Sequence, residues 1–226
     1  MVLLDDASIQ SIRIKGITDP FVNLNSISGR IVVDNSMTRI ASKSKWFCYC
    51  RLPAAEKLMK AVQYLPEHIS FYIMEAYRPL SIQQRSVERT FSRYKREYPA
   101  LDDAGVWEKV YEWVAPVNTA PHPTGGAIDV TLIDNNGNEL DMGTPFNAEP
   151  GKVQNRTFTF SELVTGPERE NRKILIRAME QTGFVNYPTE WWHWSYGDKY
   201  WAFVSQTDAL YSQVDETEII TNVKNG

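Results

Sequence analysis

Apolar positions along the chain recur at two periods, and the changes between them mark out its elements. Ala55, Leu58, Met59, Val62 and Leu65 follow the three-and-four spacing of one helical face, with Glu56, Lys57, Lys60 and Gln63 opposite. Pro53 suits the first turn of that helix, where its missing N–H has no intrahelical partner to lose. Ile69, Phe71 and Ile73 then alternate with Ser70, Tyr72 and Met74, the period of a strand. This strand runs into Glu75-Ala-Tyr-Arg78-Pro79, and the proline pushes Arg78 away from helical backbone, placing it at the strand's end, either as a fixed side chain aimed into a cleft or as a surface arginine with a salt-bridge partner. Residues 80–114 read as two helices. The first is charged and stops at Pro99; the second starts at Asp102-Asp103 and carries Val106, Trp107, Val110, Trp113 and Val114 as its apolar stripe.

The stretch from Ala115 to Pro123 is proline-rich and without period, so it is a loop. Gly125-Gly126 follows, where the backbone turns or closely approaches something. Ala127–Leu132 is a strand with Ile128, Val130 and Leu132 on one face and Ala127, Asp129 and Thr131 on the other, facing a cleft or solvent. Asp134–Asn138 makes a hairpin turn, and Leu140–Asn147 returns from it. Residues 148–166 read as a mobile surface loop, and a helix runs from Pro167 to about Thr182, stopped by Gly183. Short strands are expected at Ile12–Ile14, Ile31–Val33, Trp46–Cys50 and Tyr200–Phe203, with turns at Asp19-Pro20 and Ser28-Gly29. The polar tail from Gln213 is expected to fray.

The 226 residues suit a single domain across 1–226, with 1–30 and 213–226 peripheral to it. A net charge of -4 argues against a nucleic-acid or anionic-membrane surface. No apolar run approaches the roughly 20 residues of a membrane span, and Met1-Val-Leu-Leu-Asp-Asp has no basic segment leading into an apolar one. A cytoplasmic home is expected, or a periplasmic one if an export signal lies outside this sequence. Cys48 and Cys50 are the two cysteines, awkwardly spaced for a disulfide and read as buried thiols. Arg85, Arg89, Arg93, Lys95 and Arg96 read as a solvated helix face. Oligomeric state leaves no readable signature.

Candidate chemistry gathers around the three histidines. His68 reads as a loop residue before a strand. His122 lies in Pro121-His122-Pro-Thr-Gly-Gly-Ala-Ile-Asp129, and His193 closes Tyr187-Pro-Thr-Glu190-Trp-Trp-His193-Trp194. Two histidines and one carboxylate meet the ligand count of a catalytic zinc site, which keeps a fourth position for water. Such a set leaves one net positive charge at the metal, favouring deprotonation of that water. Glu190 is then the candidate to move the proton, and Arg78 a fixed cation for the developing oxyanion. Pro188 and the tryptophans argue for a strand at His193 with Glu190 in the turn before it, and with Trp192 and Trp194 facing away from the histidine. Spacing alone leaves open that both histidines are ordinary core or surface residues.

Four segments carry a family resemblance. Pro121–Asp129 resembles the S-x-H-x-x-G-x-x-x-D motif of the zinc D-alanyl-D-alanine dipeptidases (VanX-like), and Glu190-Trp-Trp-His193 resembles their E-x-x-H. Glu75-Ala-Tyr-Arg78-Pro79 is similar to their G/A-Y-R-P segment, and Asp141-Met-Gly-Thr-Pro-Phe146 to their D-M-G-x-x-F. The resemblance covers roughly 30–205. It implies one zinc ion per chain on His122, Asp129 and His193, Glu190 as catalytic base and Arg78 as oxyanion stabiliser. It also implies a compact α+β domain with a central antiparallel sheet flanked by helices, of the hedgehog/D,D-peptidase type, and a small peptide substrate. Two positions depart from the pattern: Ala120 stands where the family has serine, and Asn147 where it has aspartate. In the family those positions help hold the substrate's free amino group. The implied activity is hydrolysis of D-Ala-D-Ala or a related small dipeptide. The alternatives are a D,D- or L,D-carboxypeptidase or endopeptidase on longer cell-wall peptides, and a non-catalytic zinc-binding module.

Overall fold

The structure, a computed structural model, describes residues 1–222 except Ser28 and Ala41, so the Ser28 half of one expected turn and the last residues of the tail lie outside the described residues. In chain order the elements are α1 (Ala7–Gln10), β1 (Phe21–Asn23), β2 (Ile31–Val33), β3 (Tyr49–Arg51), α2 (Leu52–Ala61), β4 (Ile69–Glu75), α3 (Leu80–Glu97), α4 (Asp103–Tyr111), β5 (Ala127–Asp134), α5 (Gly166–Glu180), β6 (Val185–Asn186), β7 (His193–Ser195), α6 (Lys199–Ser205) and α7 (Glu216–Asn222). The main sheet has the order β2-β4-β5-β7-β6. Its pairings are antiparallel except at the edge, where β2 runs parallel to β4. The expected α+β architecture is thus present, with one parallel edge strand that the short Ile31–Val33 run gave no means to orient.

One face of the sheet forms the main core. Phe71 and Ile73 of β4 and Ile128, Val130 and Leu132 of β5 pack with Ala55 and Leu58 of α2 and with Leu175, Ala178 and Met179 of α5. β5 is buried along both faces, so Asp129 faces a cleft and not open solvent. On the other side α3 and α4 pack together through Val87, Tyr94, Val106 and Val110.

Several expectations are corrected. Lys199–Ser205 is a helix, not a strand: the Asp198 carboxylate accepts from the Trp201 amide and caps it, and this local cap outweighs the β-propensity of its aromatic residues. Ile12–Ile14 forms a single bridge, Ile14 to Ala209, in place of a strand. The strand expected at Trp46–Cys50 is shorter and later, at Tyr49–Arg51. Residues 148–166 are fastened to the core: the buried Arg172 donates to the carbonyls of Met142, Arg156 and Phe158 at 2.8, 2.7 and 2.7 Å. The described part of the tail is docked, with Val214 and Ile219 buried beside Phe21 and Tyr77. Leu4, Ile9, Phe21 and Leu24 near the N-terminus are buried as well. No helix among the described residues is long and apolar enough to cross a membrane.

Candidate active site

Register brings the first group of polar side chains together. Asp129 of β5 lies directly opposite His193 of β7 on one side and opposite Glu75 of β4 on the other. Directly opposed residues hold their Cβ atoms about 4.5–5.5 Å apart. The second alignment depends on a register shift between Ile73 and Glu75. Ile73 pairs with Val130, so unbroken alternation would set Met74, not Glu75, opposite Asp129. The extra residue inverts the strand's parity there and carries Glu75 onto the polar face.

His122 arrives from a short 3-10 turn, His122–Thr124, which ends at Gly125 with φ of 76°. The glycine pair is required by space as well as by conformation. A Cβ on Gly125 would stand 2.3 Å from the Phe21 ring, and one on Gly126 would stand 2.1 Å from the Tyr196 carbonyl oxygen. That close approach lets the Tyr196 amide donate to the Gly126 carbonyl at 2.9 Å and joins β5 to the segment after His193.

His122, Asp129 and His193 are all buried, and their ligand atoms lie within 4.8 Å of one another. His122 Nδ1 donates to the Ala76 carbonyl at 2.6 Å, which turns its Nε2 toward Asp129 Oδ2 at 3.2 Å. His193 Nδ1 lies 2.9 Å from Asp129 Oδ1, and its Nε2 faces the Ser195 hydroxyl at 3.3 Å. Each imidazole therefore has one nitrogen facing the shared carboxylate and the other held from behind, the arrangement that orients histidines toward a metal. Two imidazoles and a carboxylate suit zinc. Burial alone would raise the Asp129 carboxyl, but His122 and then His193 outweigh it and hold it well below the usual carboxylate range.

Glu190 and Arg78 share one cavity with the triad, of about 230 Å³. Glu190 sits in the turn before β7, its amide bonded to the Tyr187 carbonyl and its carbonyl to the His193 amide. That turn is braced by the fastened loop, whose Thr157 carbonyl accepts from the Trp191 amide. Burial pushes the Glu190 carboxyl up to about 7; His193 and Arg78 pull it down while Asp129 adds to the rise. Arg78 is gripped by Glu75, whose Oε2 accepts from Nε at 3.1 Å and Nη2 at 2.5 Å, and by Gln83, whose Oε1 accepts from Nη1 at 3.0 Å. Burial would lower its pKa, but Glu75 more than offsets this and the guanidinium stays charged. One N–H on each terminal nitrogen is left for a ligand.

Asn147 lines the cavity, with backbone φ of 60°. Ala120 does not: it is buried in the loop before His122, and its carbonyl accepts from Gln213 Nε2 at 2.9 Å. Trp194 packs into the core as expected, whereas Trp192 also lines the cavity. Glu75, Gln83 and Ser195 position site residues without having been singled out in the sequence. Glu75 had a signal, an acid three residues before Arg78 in the same motif; Gln83 and Ser195 had none. His68 stands apart in an exposed turn, and Cys48 and Cys50 are free and buried.

A family model described as D-ala-D-ala dipeptidase, peptidase M15, matches residues 24–214. A D-alanyl-D-alanine dipeptidase of Synechocystis sp. is 31% identical over 58% of this chain and 61% of its own length. One from Enterococcus faecalis is 30% identical over 48% of this chain and 53% of its own length. The chain thus spans less than two thirds of these relatives. A solved structure, VanYB in complex with D-alanine-D-alanine, is similar over 71% of this chain and 80% of that one, with a TM-score of 0.43 and 15% identity. The family match extends over most of the sequence and takes in every residue of the cavity triad, and the chain belongs to the D-ala-D-ala dipeptidase family of M15 peptidases.

Proposed function

We propose that this chain is a zinc metallopeptidase, one domain over 1–226, that hydrolyses D-Ala-D-Ala or a related small dipeptide. The observation that carries the reading is the meeting of the His122–Asp129–His193 cluster with an unligated carboxyl, Glu190, and a fixed guanidinium, Arg78, in one small cavity. Its volume of about 230 Å³ is below the roughly 300 Å³ at which drug-sized ligand sites begin, which favours a dipeptide-sized substrate. Zinc held by the three residues would supply Lewis acidity to the scissile carbonyl and to water. Glu190 accepts the proton of the attacking water and returns it to the leaving amine, a task suited to a carboxyl poised near neutrality. Arg78 keeps its free N–H groups on the oxyanion, and Glu75 and Gln83 spare it any reorganisation.

A second reading, a D,D- or L,D-carboxypeptidase or endopeptidase on longer cell-wall peptides, is favoured by Asn147. That side chain lines the cavity, and the acidic side chains there are Asp129 and Glu190, so neither is spare for a substrate ammonium. The proposed compartment is the cytoplasm, in keeping with free Cys48 and Cys50 thiols. The test is a panel of D,D-, L,D- and L,L-dipeptides, free and N-acylated, assayed after chelation and zinc restoration. Turnover of free D,D-dipeptides supports the first reading. Faster cleavage of acylated forms supports the second, and no zinc-dependent turnover of any member or of a longer cell-wall peptide refutes both.

A further inference from the structure

A second cation lines the cavity without a partner among the described residues. Gln83, Ser86, Arg89 and Thr90 of α3 all line it, at the spacing of one helical face. Gln83 is committed to Arg78 and to the Ala115 carbonyl. The Ser86 and Thr90 hydroxyls donate to the carbonyls of Ile82 and Ser86 in their own helix, so they have no hydrogen to offer a ligand. Among the other cations of the helix, Arg93 is engaged with Glu149 and Lys95 with Asp103, while Arg85 and Arg96 do not line the cavity. Arg89, exposed at the cavity rim, has no hydrogen-bond or ion-pair partner among the described residues. Arg78, the other cation of the lining, is tied to Glu75.

Resting on the peptidase reading of this cavity, we propose that Arg89 is the specificity residue that binds the free C-terminal carboxylate of the substrate. Six residues of helix separate it from Gln83, about 9 Å along the axis. Helical side chains lean toward the N-terminus, which returns the Arg89 guanidinium toward Gln83 and Arg78. A peptide residue spans roughly 3.5 Å, so a carboxylate one residue beyond a scissile carbonyl at Arg78 falls between the two arginines. A guanidinium fork matches that carboxylate through paired N–H groups. The substrate class is then a peptide cut next to a free carboxyl end, which excludes an internal bond of a longer strand.

The experiment compares zinc-loaded wild type, Arg89→Ala and Arg89→Lys on D-Ala-D-Ala, its C-terminal amide and its N-acetyl form. Wild type should cleave the acid about tenfold more efficiently than the amide, the low end of what a charge-assisted contact supplies at an exposed site. Arg89→Ala should lose that ratio through KM while keeping its zinc, and Arg89→Lys should recover part of it, since lysine keeps the charge and loses the fork. An unchanged acid-to-amide ratio in Arg89→Ala overturns the assignment. If wild type cleaves none of the three, the peptidase reading fails separately, and calorimetry with N-acetyl-D-alanine and N-acetyl-D-alaninamide then decides the subsite. Binding of the acid that Arg89→Ala abolishes supports it, and equal binding by both proteins refutes it.

Discussion

Replacing Ser195 with alanine isolates the support behind one proposed metal ligand. The Ser195 side chain is fully buried, and its oxygen lies 3.3 Å from His193 Nε2. In metal-free protein the ring's proton belongs on Nδ1, facing the ionised Asp129 Oδ1 2.9 Å away, with the Ser195 hydroxyl serving Nε2. A ring that turns its Nδ1 lone pair to zinc must carry the proton on Nε2 instead, where the Ser195 oxygen is placed to accept it. In Ser195→Ala, zinc binding leaves that buried N–H unpaired. Loss of an outer-shell partner typically costs 10–100-fold in metal affinity. The contact is long and its acceptor neutral, so the low end applies, about tenfold or roughly 1.4 kcal/mol. Competition against a chromophoric chelator measures it, with melting temperature followed to exclude a folding defect. A zinc affinity within about twofold of wild type would refute the orientation inferred for His193.

Two other outcomes follow from buried charge. Arg172→Met leaves the carbonyls of Met142, Arg156 and Phe158 without their donor; at about 1–3 kcal/mol for each buried unsatisfied group, urea unfolding should show a loss of at least about 3 kcal/mol, and a loss under 1 would contradict the bracing role given to Arg172. Glu190 has its folded pKa raised to about 7 from 4.5, so the folded state binds its proton more tightly and stability falls as pH rises through that window. In metal-free protein, Glu190→Gln should match wild type near pH 4 and exceed it by on the order of 3 kcal/mol above pH 7; a difference that does not change with pH would show that the carboxyl is not strained by burial.

The sequence disclosed what periodicity and local motifs encode. The α2 stripe of Ala55 and Leu58, the alternation of β4 and the Asp102 cap each stand where they were read, because each depends on neighbours a few residues away. What escaped depends on distant partners. The shift that turns Glu75 toward Asp129 exists only in pairing with β5, and nothing in Ile73-Met74-Glu75 announces it. Residues 148–166 look polar and loose until Arg172 of α5 is seen to hold their carbonyls. Arg89 and Arg93 are indistinguishable in the helical pattern, yet one lines the cavity and the other meets Glu149. Asp198 was a local signal misread, a cap overlooked beside the aromatic residues of α6. At the site, the motifs brought His122, Asp129, His193, Glu190, Arg78 and Asn147 to one cavity, whereas Ala120 is held away by its place in the buried loop.

The proposed mechanism divides two tasks between neighbouring residues: His193 holds the metal and Glu190, three residues earlier, moves the proton. Glu190→Gln keeps the shape and volume of the side chain and removes only its basicity. Measured together on one preparation, zinc content and the rate of D-Ala-D-Ala hydrolysis should separate. One equivalent of zinc is expected, with turnover lowered by roughly 10²–10⁴-fold, the range that general acid–base catalysis supplies. Near-normal turnover in the zinc-loaded variant, or loss of zinc along with activity, would contradict the mechanism.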